Sequence, residues 1–399
     1  MQTYDCIIIG AGAAGLMCAA TAGKRGRSVA ILDHANKVGK KILMSGGGRC
    51  NFTNYDVGPE HYLSDNPHFC KSALSRYNQW DFISLVSEYE LAYHEKSQGQ
   101  LFCDNKAKDI LNILLAECDK ANADIQTRCE ILSVVTTQEA GHRYKLVTSM
   151  GNFACQSLVI ATGGLSIPTM GATGFGYDIA KQFGLKLKAR NASLVPFTFK
   201  GEALKLCQSL AGVSLPVRAT SNQQEFAESL LFTHKGLSGP AALQISNYWH
   251  PGDTLEIDFL PNASIANVAQ QWRQQGQKAL PANLLGNFLP KRFIQQWVEF
   301  QGLTGLMQKE LAQWRKDEIE QLASALHRWQ VIPNGTEGYR TAEVTRGGVD
   351  TNGVSSKTFE AKKAPGLYFI GEVLDVTGRL GGYNFQWAWA SGYCCGQHV

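Results

Sequence analysis

The stretch YDCIIIGAGAAGLMCAATAGKRGRSVAILD occupies residues 4–33 and decides the fold. Its apolar run Tyr4–Ile9 predicts a strand, Ala13–Lys24 is typical of a helix, and Ser28–Leu32 is again β-branched or apolar. A strand, a glycine turn, a helix and a second strand in this order form half of a doubly wound α/β fold.

The turn between the first strand and the helix carries Gly10, Gly12 and Gly15. In such a turn the first glycine permits the tight bend, the second lets the backbone approach a pyrophosphate, and the third lets helix and strand pack closely. The helix N-terminus attracts the phosphate charge. Asp33 ends the second strand, where a carboxylate accepts hydrogen bonds from ribose hydroxyls. The stretch therefore predicts a dinucleotide site, and a purely structural βαβ unit is the alternative.

Later segments distinguish FAD from NAD. VIATGG at 159–164 and GLYFIGE at 366–372 resemble the strand-end motifs of flavoproteins of the glutathione-reductase structural type. In that resemblance Glu372 accepts hydrogen bonds from ribityl or pyrophosphate-proximal hydroxyls, and a surface salt bridge is the alternative. GGYN at 381–384 opens a helix whose free N–H groups would face the flavin O2 and N1 region, where positive partial charge favours the anionic reduced flavin.

A third glycine cluster lies in SGGGRCNFTN at 45–54. Three consecutive glycines are costly to order, because glycine loses more freedom on folding than other residues. Close approach of this backbone to the isoalloxazine ring is the functional interpretation, and a plain turn is the alternative. Lys40, Lys41 and Arg49 flank the cluster and could offset pyrophosphate charge, although solvated lysines would account for them equally well.

Together, GKKILMSGGGRCNFTN, ATGGLSIPTMGATGFGYDIA, LLFTHKGLSGPAALQIS and GLYFIGEVLDVTGRLGGYNFQWAWASG resemble the HI0933-like family of bacterial FAD-containing proteins, also described as aminoacetone oxidase-like or NAD(P)/FAD-dependent oxidoreductases. The resemblance runs essentially from end to end. It implies an α/β fold: a glutathione-reductase-type, Rossmann-like FAD domain with an inserted β-barrel plus helical module. The cofactor-binding residues expected from the motifs and the resemblance are Gly10, Gly12, Ala13, Ala14, Gly15, Asp33, His34, Lys41, Ser45, Gly46, Gly47, Arg49, Cys50, Asn51, Ile131, Ala161, Thr162, Gly163, Gly371, Glu372, Asp375, Gly381, Gly382, Tyr383 and Asn384.

Shifts in composition agree with that architecture. We expect the FAD domain at 1–190 and 340–399, a β-rich module at 191–262 with about 330–340, and a helical module at 263–329. Within the FAD domain, Ile125–Val135 predicts one strand, and a helix follows from about Tyr383.

The charge balance and the cysteine content limit the kinds of partner and ligand that we expect. Lys plus Arg number 38 and Asp plus Glu 34, a mild excess without a long basic run, so we expect no nucleic-acid partner and a small-molecule substrate. The 11 cysteines are odd in number and lack Cys-x-x-Cys or zinc-finger spacing, which predicts reduced thiols, a cytoplasmic location and no metal site. The uncharged stretch Cys6–Gly23 fits the glycine turn better than a membrane span. The oligomeric state stays open.

Side chains from loops that meet at the flavin ring are the candidates for substrate contact. Tyr383 and His234 could donate a proton, with Asn384 beside them; His234 bracing a turn and Tyr383 stacking on the cofactor are the alternatives. Further candidates are Cys50, Asn51, Asn54, Arg346 and Arg379.

No second strand, glycine turn and helix unit is present for a separate nicotinamide domain, so we expect NAD(P)H to reduce the flavin transiently from an open face. The favoured function is an FAD-dependent reductase or dehydrogenase of a small or hydrophobic organic substrate, such as the conjugated enone chemistry credited to some relatives in the family. An FAD-dependent amine-type oxidase and a flavin-binding RNA-linked or sensor protein are the alternatives.

Overall fold

The structure is a computed structural model that describes residues 1–138, 141–277 and 279–399. The chain forms two compact units. The terminal unit contains both chain ends, Met1–Ala192 and Val344–Val399, and the inserted unit is Ser193–Glu343.

The strands are numbered in chain order. They are β1 (Gln2–Ile9), β2 (Val29–Asp33), β3 (Asn51–Asn54), β4 (Tyr62–Leu63), β5 (Tyr93–Glu95), β6 (Gln100–Cys103), β7 (Asp124–Thr127), β8 (Ile131–Thr136), β9 (Tyr144–Thr148), β10 (Gly151–Ile160), β11 (Asn191–Ser193), β12 (Phe197–Thr198), β13 (Ser214–Ser221), β14 (Gln224–Phe232), β15 (Gly236–Ser238), β16 (Leu255–Asp258), β17 (Trp329–Val331), β18 (Gly335–Thr336), β19 (Val344–Arg346), β20 (Leu367–Phe369) and β21 (Thr377–Gly378).

The α-helices are numbered in the same way. They are α1 (Ala13–Lys24), α2 (Lys40–Met44), α3 (Lys71–Arg76), α4 (Gln79–Glu88), α5 (Ala107–Lys120), α6 (Phe175–Gln182), α7 (Gly201–Ser209), α8 (Gly239–Ser246), α9 (Ile265–Gln274), α10 (Pro281–Leu285), α11 (Lys291–Phe300), α12 (Thr304–Met307), α13 (Lys316–His327) and α14 (Tyr383–Gly396).

The main sheet of the terminal unit has the order β7-β2-β1-β10-β9-β8, and β20 also pairs with β10. Strands β2, β1, β10 and β20 are parallel, and Ile9 is opposite both Leu32 and Ile160, which is itself opposite Phe369. The last residues of β1, Cys6–Ile9, are buried, as expected for a parallel strand covered on both faces. The carboxyl ends of these four strands therefore lie at one edge of the sheet.

The two chain ends are joined by close packing of α1 against α14. A Cβ added at Gly392 would lie 2.5 Å from the Ala14 carbonyl oxygen, and one at Gly396 would lie 2.6 Å from Thr21 Cβ. Only glycine permits helices to approach this closely. This contact explains how segments more than 350 residues apart in sequence contribute to one site.

Two small sheets complete the terminal unit. One has the order β3-β6-β5, and the other is the antiparallel ladder of β4 with β21, in which Tyr62 is opposite Gly378. Both bring residues 51–63 next to the segment that precedes α14.

The inserted unit is built on an antiparallel sheet of order β17-β16-β13-β14-β15-β12-β18. Strands β13 and β14 form a hairpin whose turn residues Asn222 and Gln223 have φ of 48° and 63°. Helices α9–α13 follow in sequence, and their aromatic side chains share a core with the sheet: the rings of Phe259 and Trp297 are 4.8 Å apart.

The α/β fold class with a Rossmann-type domain and an additional sheet is confirmed. The single strand predicted at Ile125–Val135 is wrong, because the chain turns between β7 and β8. Arg128 has φ of 59°, and the Cys129 N–H donates to the Asp33 carbonyl at 2.9 Å instead of continuing a ladder. Among the described residues, no helix combines the length and apolar character that crossing a membrane requires.

Candidate functional site

The glycine turn after β1 is tightly packed on one side and open on the other. Gly10 has φ of 113°, and an added Cβ there would lie 2.5 Å from the Ala161 carbonyl oxygen. A Cβ at Gly15 would lie 2.0 Å from the Gly10 carbonyl oxygen, whereas one at Gly12 would meet nothing within 4 Å. Gly12 is also the N-cap of α1 and provides no side-chain cap. The turn thus leaves space and backbone N–H groups where an anion can bind.

Asp33 braces this turn from the end of β2. Its Oδ2 accepts a hydrogen bond from the Ala11 N–H at 2.7 Å, and its Oδ1 accepts one from the Ala35 N–H at 2.7 Å. An ionised carboxylate has about four acceptor positions, so two backbone donors leave capacity for hydroxyl groups. His34 is exposed, with Nδ1 3.7 Å from Asp33 Oδ1.

The segment after β10 presents an unsatisfied hydroxyl group. Thr162 Oγ1 is buried and has no hydrogen-bond partner among the described residues. Leaving such a group unpaired costs about 1–3 kcal/mol. Its neighbour Ala161 is fixed by an N–H bond of 2.9 Å to the Ile9 carbonyl, while Gly163 has φ of 71° and open space at its Cβ position. An unpaired hydroxyl beside an open glycine at the sheet edge fits a bound ligand.

The carboxylate of Glu372, just after β20, accepts hydrogen bonds from three other segments of the chain. Its Oε2 accepts from Lys41 Nζ at 2.7 Å, and its Oε1 accepts from Ser166 Oγ at 3.2 Å and from the Thr345 N–H at 3.0 Å. The carboxylate is 18% exposed, so this ion pair lies partly inside the protein. Gly371 has φ of 71°, and its N–H donates to Ser391 Oγ in α14 at 3.0 Å.

Asp375 is buried among charged groups. Its Oδ2 accepts from the Asp65 N–H at 3.0 Å, and burial raises the pKa of its carboxyl group. Burial likewise lowers the pKa of the Arg346 guanidinium, which the charge of Asp375 opposes. Lys188 stabilises the charge of Asp375 from nearby.

The glycine cluster after α2 has a left-handed backbone throughout. Gly46, Gly47 and Gly48 have φ of 57°, 66° and 89°, and Gly47 and Gly48 have open space at their Cβ positions. Arg49 is exposed, and Ser45 Oγ donates to the Ile42 carbonyl at 2.7 Å. Such a segment can approach a flat ring closely from its exposed side.

Cys50 follows this cluster but is fully buried, with φ of 46°. Burial raises the pKa of its thiol far above the usual range. It is therefore a neutral packing group. The 11 cysteines are all free and buried, and no group of three or more His, Cys, Asp or Glu side chains in the described part of the chain could hold a metal ion.

The N-terminus of α14 is held against β3. Gly382 has φ of 96°, and a Cβ there would lie 2.4 Å from the Thr53 carbonyl oxygen. With its amide oriented to satisfy both atoms, Asn51 accepts from the Gly382 N–H at 3.2 Å. Asn384 Oδ1 accepts from the Gly378 N–H at 2.8 Å, and its Nδ2 donates to the Gly378 and Arg379 carbonyls. Asn384 thus fixes the loop before its own helix.

Tyr383 is 7% exposed and lies against His61, with ring centroids 4.9 Å apart. Arg379 Nη1 lies 3.1 Å from His61 Nδ1. Because a guanidinium only donates, Nδ1 accepts this hydrogen bond. Nε2 lies 3.3 Å from Asp56 Oδ2 but is buried without a hydrogen-bond partner among the described residues. His61 was not predicted from the sequence because it belongs to no motif; it reaches the site through the β4–β21 ladder.

Two predicted residues belong to none of these segments. His234 belongs to the inserted unit, in an exposed turn between β14 and β15, where Thr233 Oγ1 accepts from the Lys235 and Gly236 N–H groups at 3.2 and 3.1 Å. Ile131 begins β8, is half-buried and packs against the core of the terminal unit. The other predicted residues lie in the segments at the carboxyl edge of the main sheet or at the α14 N-terminus.

These features fit FAD. The turn at Gly12 and the unpaired Thr162 hydroxyl can hold the pyrophosphate region, Asp33 can accept from ribose hydroxyls, and the open backbone at Gly47 and the α14 N-terminus can approach the ring. These residues come from both ends of the chain, and together they can contact one extended ligand.

Comparison with known proteins supports this interpretation. A family model described as HI0933-like protein Rossmann domain matches residues 4–398. Two relatives, from Haemophilus influenzae and Escherichia coli, are each 53% identical to this chain, and each is named ribosomal RNA dihydrouridine synthase. The alignments cover 99% and 100% of this chain, respectively, and 98% of each relative. A relative from Clostridium scindens, 29% identical over 98% of this chain and 97% of its own, is named 3-dehydro-bile acid delta(4,6)-reductase.

Among solved structures, the 3-ketosteroid-delta4-(5alpha)-dehydrogenase of Rhodococcus jostii matches with a TM-score of 0.52. It is 13% identical over 99% of this chain and 97% of its own, so the likeness concerns the fold.

One expectation from the sequence is corrected by the relatives. Relatives that are 53% identical over 98% of their length are named for an RNA substrate, so the expectation of no nucleic-acid partner is wrong. A mild net charge does not exclude RNA contacts that are local.

Proposed function

The chain belongs to the HI0933-like family of FAD-binding oxidoreductases, and from this premise we propose that it reduces uracil bases of ribosomal RNA to dihydrouracil. The observation that carries the proposal is the 53% identity to two ribosomal RNA dihydrouridine synthases over nearly all of both chains. The geometry of the terminal unit supports it, because the glycine turn at Gly10–Gly15 and the segments after β2, β10 and β20, which carry many of the predicted FAD contacts, follow the carboxyl ends of parallel strands.

The chemistry agrees with the name of the Clostridium scindens relative. The name 3-dehydro-bile acid delta(4,6)-reductase denotes reduction of C=C bonds conjugated with a ketone. The C5=C6 bond of uracil is likewise conjugated with the C4 carbonyl. Reduction adds a hydride to C6 and a proton to C5, and bound reduced FAD supplies the hydride. One kind of site can therefore serve both substrates, which refines the expected enone reduction to an RNA base.

We assign the proton at C5 to Tyr383, whose phenol is buried beside the α14 N-terminus. The positive end of that helix dipole would stabilise negative charge that develops on a carbonyl oxygen of the substrate or on the flavin ring. Asn384 positions this helix through its three hydrogen bonds to residues 378–379. His234 remains a candidate proton donor from the inserted unit.

NAD(P)H is the electron donor in this proposal. The described part of the terminal unit forms one glycine turn of the dinucleotide type, at Gly10–Gly15. A nicotinamide would therefore reduce the flavin by a brief encounter and leave before RNA binds. Separate anaerobic bleaching of the flavin with NADH and with NADPH identifies the donor.

The test combines a gene deletion with reconstitution. Nucleoside mass spectrometry of ribosomal RNA should show one dihydrouridine fewer in the deletion strain, and the purified holoprotein with NAD(P)H should restore it on that RNA. Unchanged RNA in the deletion strain and no product in vitro would refute the proposal. Rapid reoxidation by oxygen with peroxide release, in place of RNA reduction, would favour the amine-type oxidase.

The Tyr383→Phe variant tests the assignment of the proton donor. We expect kcat for dihydrouridine formation to fall by about 10²–10⁴-fold, while the rate of flavin reduction by NAD(P)H stays unchanged. Tyr62→Phe is the matched control, because the Tyr62 hydroxyl donates only to the Tyr383 carbonyl oxygen, at 3.0 Å. Equal losses in both variants would contradict the assignment.

A further inference from the structure

We propose that Tyr55 and Trp80 form a stacking platform for an unpaired base of the RNA substrate, next to the loop that precedes α14. The proposal rests on the proposed function and adds to it the surface that holds the RNA. None of the sequence motifs includes this pair.

Trp80 differs from the other tryptophans of the protein. Its side chain is 57% exposed, whereas each of the other seven tryptophans is at most 9% exposed. The helix start does not require a tryptophan here, since the capping bonds of α4 use the Trp80 N–H, which donates to Asn78 Oδ1 at 2.8 Å. A large aromatic face held in water is a common mark of a binding surface.

The two rings are already arranged as a platform. The Tyr55 and Trp80 centroids are 5.5 Å apart, with planes inclined by 29°, which is a stacked arrangement. Gln79 Nε2 donates to the Tyr55 carbonyl at 2.9 Å, and the Tyr55 N–H donates to the Gly99 carbonyl at 2.8 Å. These bonds fix the Tyr55 backbone and hold it to the first turn of α4, which carries Trp80, so little conformational entropy is lost when a base stacks on the outer face.

The platform is connected to the candidate site by one residue. Asn54 is 1% exposed, and its Nδ2 donates to the Gln98 and Gly381 carbonyls, each at 3.0 Å. Tyr55 is the next residue, about 3.8 Å away at Cα. A base on the platform is thus close to the loop at Gly381–Gly382 and would be a neighbour of the uracil that is reduced.

Charge distinguishes a base from a phosphate at this surface. The side chain of Asp56, next to Tyr55, is 80% exposed, and Asp81, next to Trp80, is exposed as well. These carboxylates repel phosphates but not the face of a base. A single-stranded segment with a base turned away from its backbone therefore fits better than a duplex.

The experiment compares the holoprotein with Trp80→Ala and Trp80→Phe. With protein-free ribosomal RNA as substrate, Trp80→Ala should raise KM roughly 5- to 150-fold and leave kcat near the wild-type value, because one stacking contact is lost. Trp80→Phe should recover most of the affinity. Phe288→Ala is the matched control, since Phe288 is a 42% exposed aromatic residue of the inserted unit, and it should leave KM unchanged.

Direct binding separates this proposal from the proposed function. Fluorescence anisotropy of a labelled single-stranded, uridine-containing oligonucleotide should show weaker binding to Trp80→Ala than to wild type. The ratio of the two Kd values should change little with salt concentration. Equal binding by wild type and Trp80→Ala would overturn the platform even if dihydrouridine forms normally. A defect seen with ribosomal particles but not with protein-free RNA would also overturn it, because the pair would then contact a protein.

Discussion

The open space at Gly12 permits a substitution that separates ligand binding from folding. Gly12 has φ of −89° and ψ of −171°, which any residue adopts, and an added Cβ meets no atom within 4 Å. Gly12→Ala should therefore change the stability of the apoprotein by less than about 1 kcal/mol, with a small loss from the poorer N-cap and a small gain from the stiffer unfolded chain. The added methyl group would instead occupy the approach to the pyrophosphate.

Gly15→Ala provides the contrast. Its Cβ would lie 2.0 Å from the Gly10 carbonyl oxygen, which is backbone and must move by more than 1 Å to reach ordinary contact distance. We expect this overpacking to cost about 1–3 kcal/mol of apoprotein stability. Gly15→Ala should thus lower the melting temperature with and without FAD.

The assay is titration of apoprotein with FAD by flavin fluorescence, beside thermal unfolding of each apoprotein. For Gly12→Ala we expect a Kd about 100-fold higher, equivalent to about 2.7 kcal/mol, at an almost unchanged apoprotein melting temperature. A Kd within about twofold of wild type would refute the placement of the pyrophosphate at this turn.

Two further predictions concern charged groups. Glu372→Gln removes the partly buried ion pair with Lys41 and should lower the free energy of unfolding of the apoprotein in urea by about 1–2 kcal/mol. As a control, removing the exposed ion pair of Lys205 with Glu202 should cost less than about 0.5 kcal/mol. Equal effects would count against the Glu372 network. Burial raises the pKa of Glu117, but hydrogen bonds from Lys24 and other donors outweigh it and lower that pKa from 4.5 to about 2. The stability from Glu117 is therefore complete above pH 4.5 and lost as the pH falls toward 2, so the melting temperature of Glu117→Gln should depend less on pH in that range, and parallel curves would contradict the assignment.

Short sequence patterns predicted those features of the candidate site whose geometry depends on neighbouring residues. The turn at Gly10–Gly15 follows from steric limits on the strand-to-helix connection, and Asp33 follows from its place at the end of the second strand. The sequence also located the glycine turn before α14. Each of these features depends on a few neighbouring residues.

Features that depend on distant partners could not be predicted in this way. The partner of Glu372 is Lys41, 331 positions away, and nothing near either residue specifies the pair. His61 reaches Arg379 because a two-residue ladder aligns β4 with β21. The proposed platform at Trp80 depends on the exposure of one tryptophan, which periodicity does not reveal because Trp80 lies in the first turn of a helix of ordinary amphipathic pattern.

The proposed RNA substrate was not expected from the sequence for a different physical reason. Net charge measures long-range attraction to phosphates, which dominates proteins that neutralise many of them. An enzyme that acts on one base can obtain specificity from stacking and from contacts at the reacting bond, and neither contact requires an excess of Lys and Arg. The exposed carboxylates of Asp56 and Asp81 beside the Trp80 platform agree with this kind of recognition.

Separating the reaction from recognition also accounts for the range of names among the relatives. Hydride transfer to a C=C bond conjugated with a carbonyl needs a positioned flavin, a proton donor and stabilisation of the carbonyl oxygen, and these requirements are the same for a bile acid and for uracil. In the proposed mechanism, Tyr383 and the α14 N-terminus meet these requirements without contacting the rest of the substrate. Substrate choice must then come from surfaces beyond the reacting bond. For this chain we propose the Tyr55 and Trp80 pair as one such surface, and its contribution can be measured apart from catalysis.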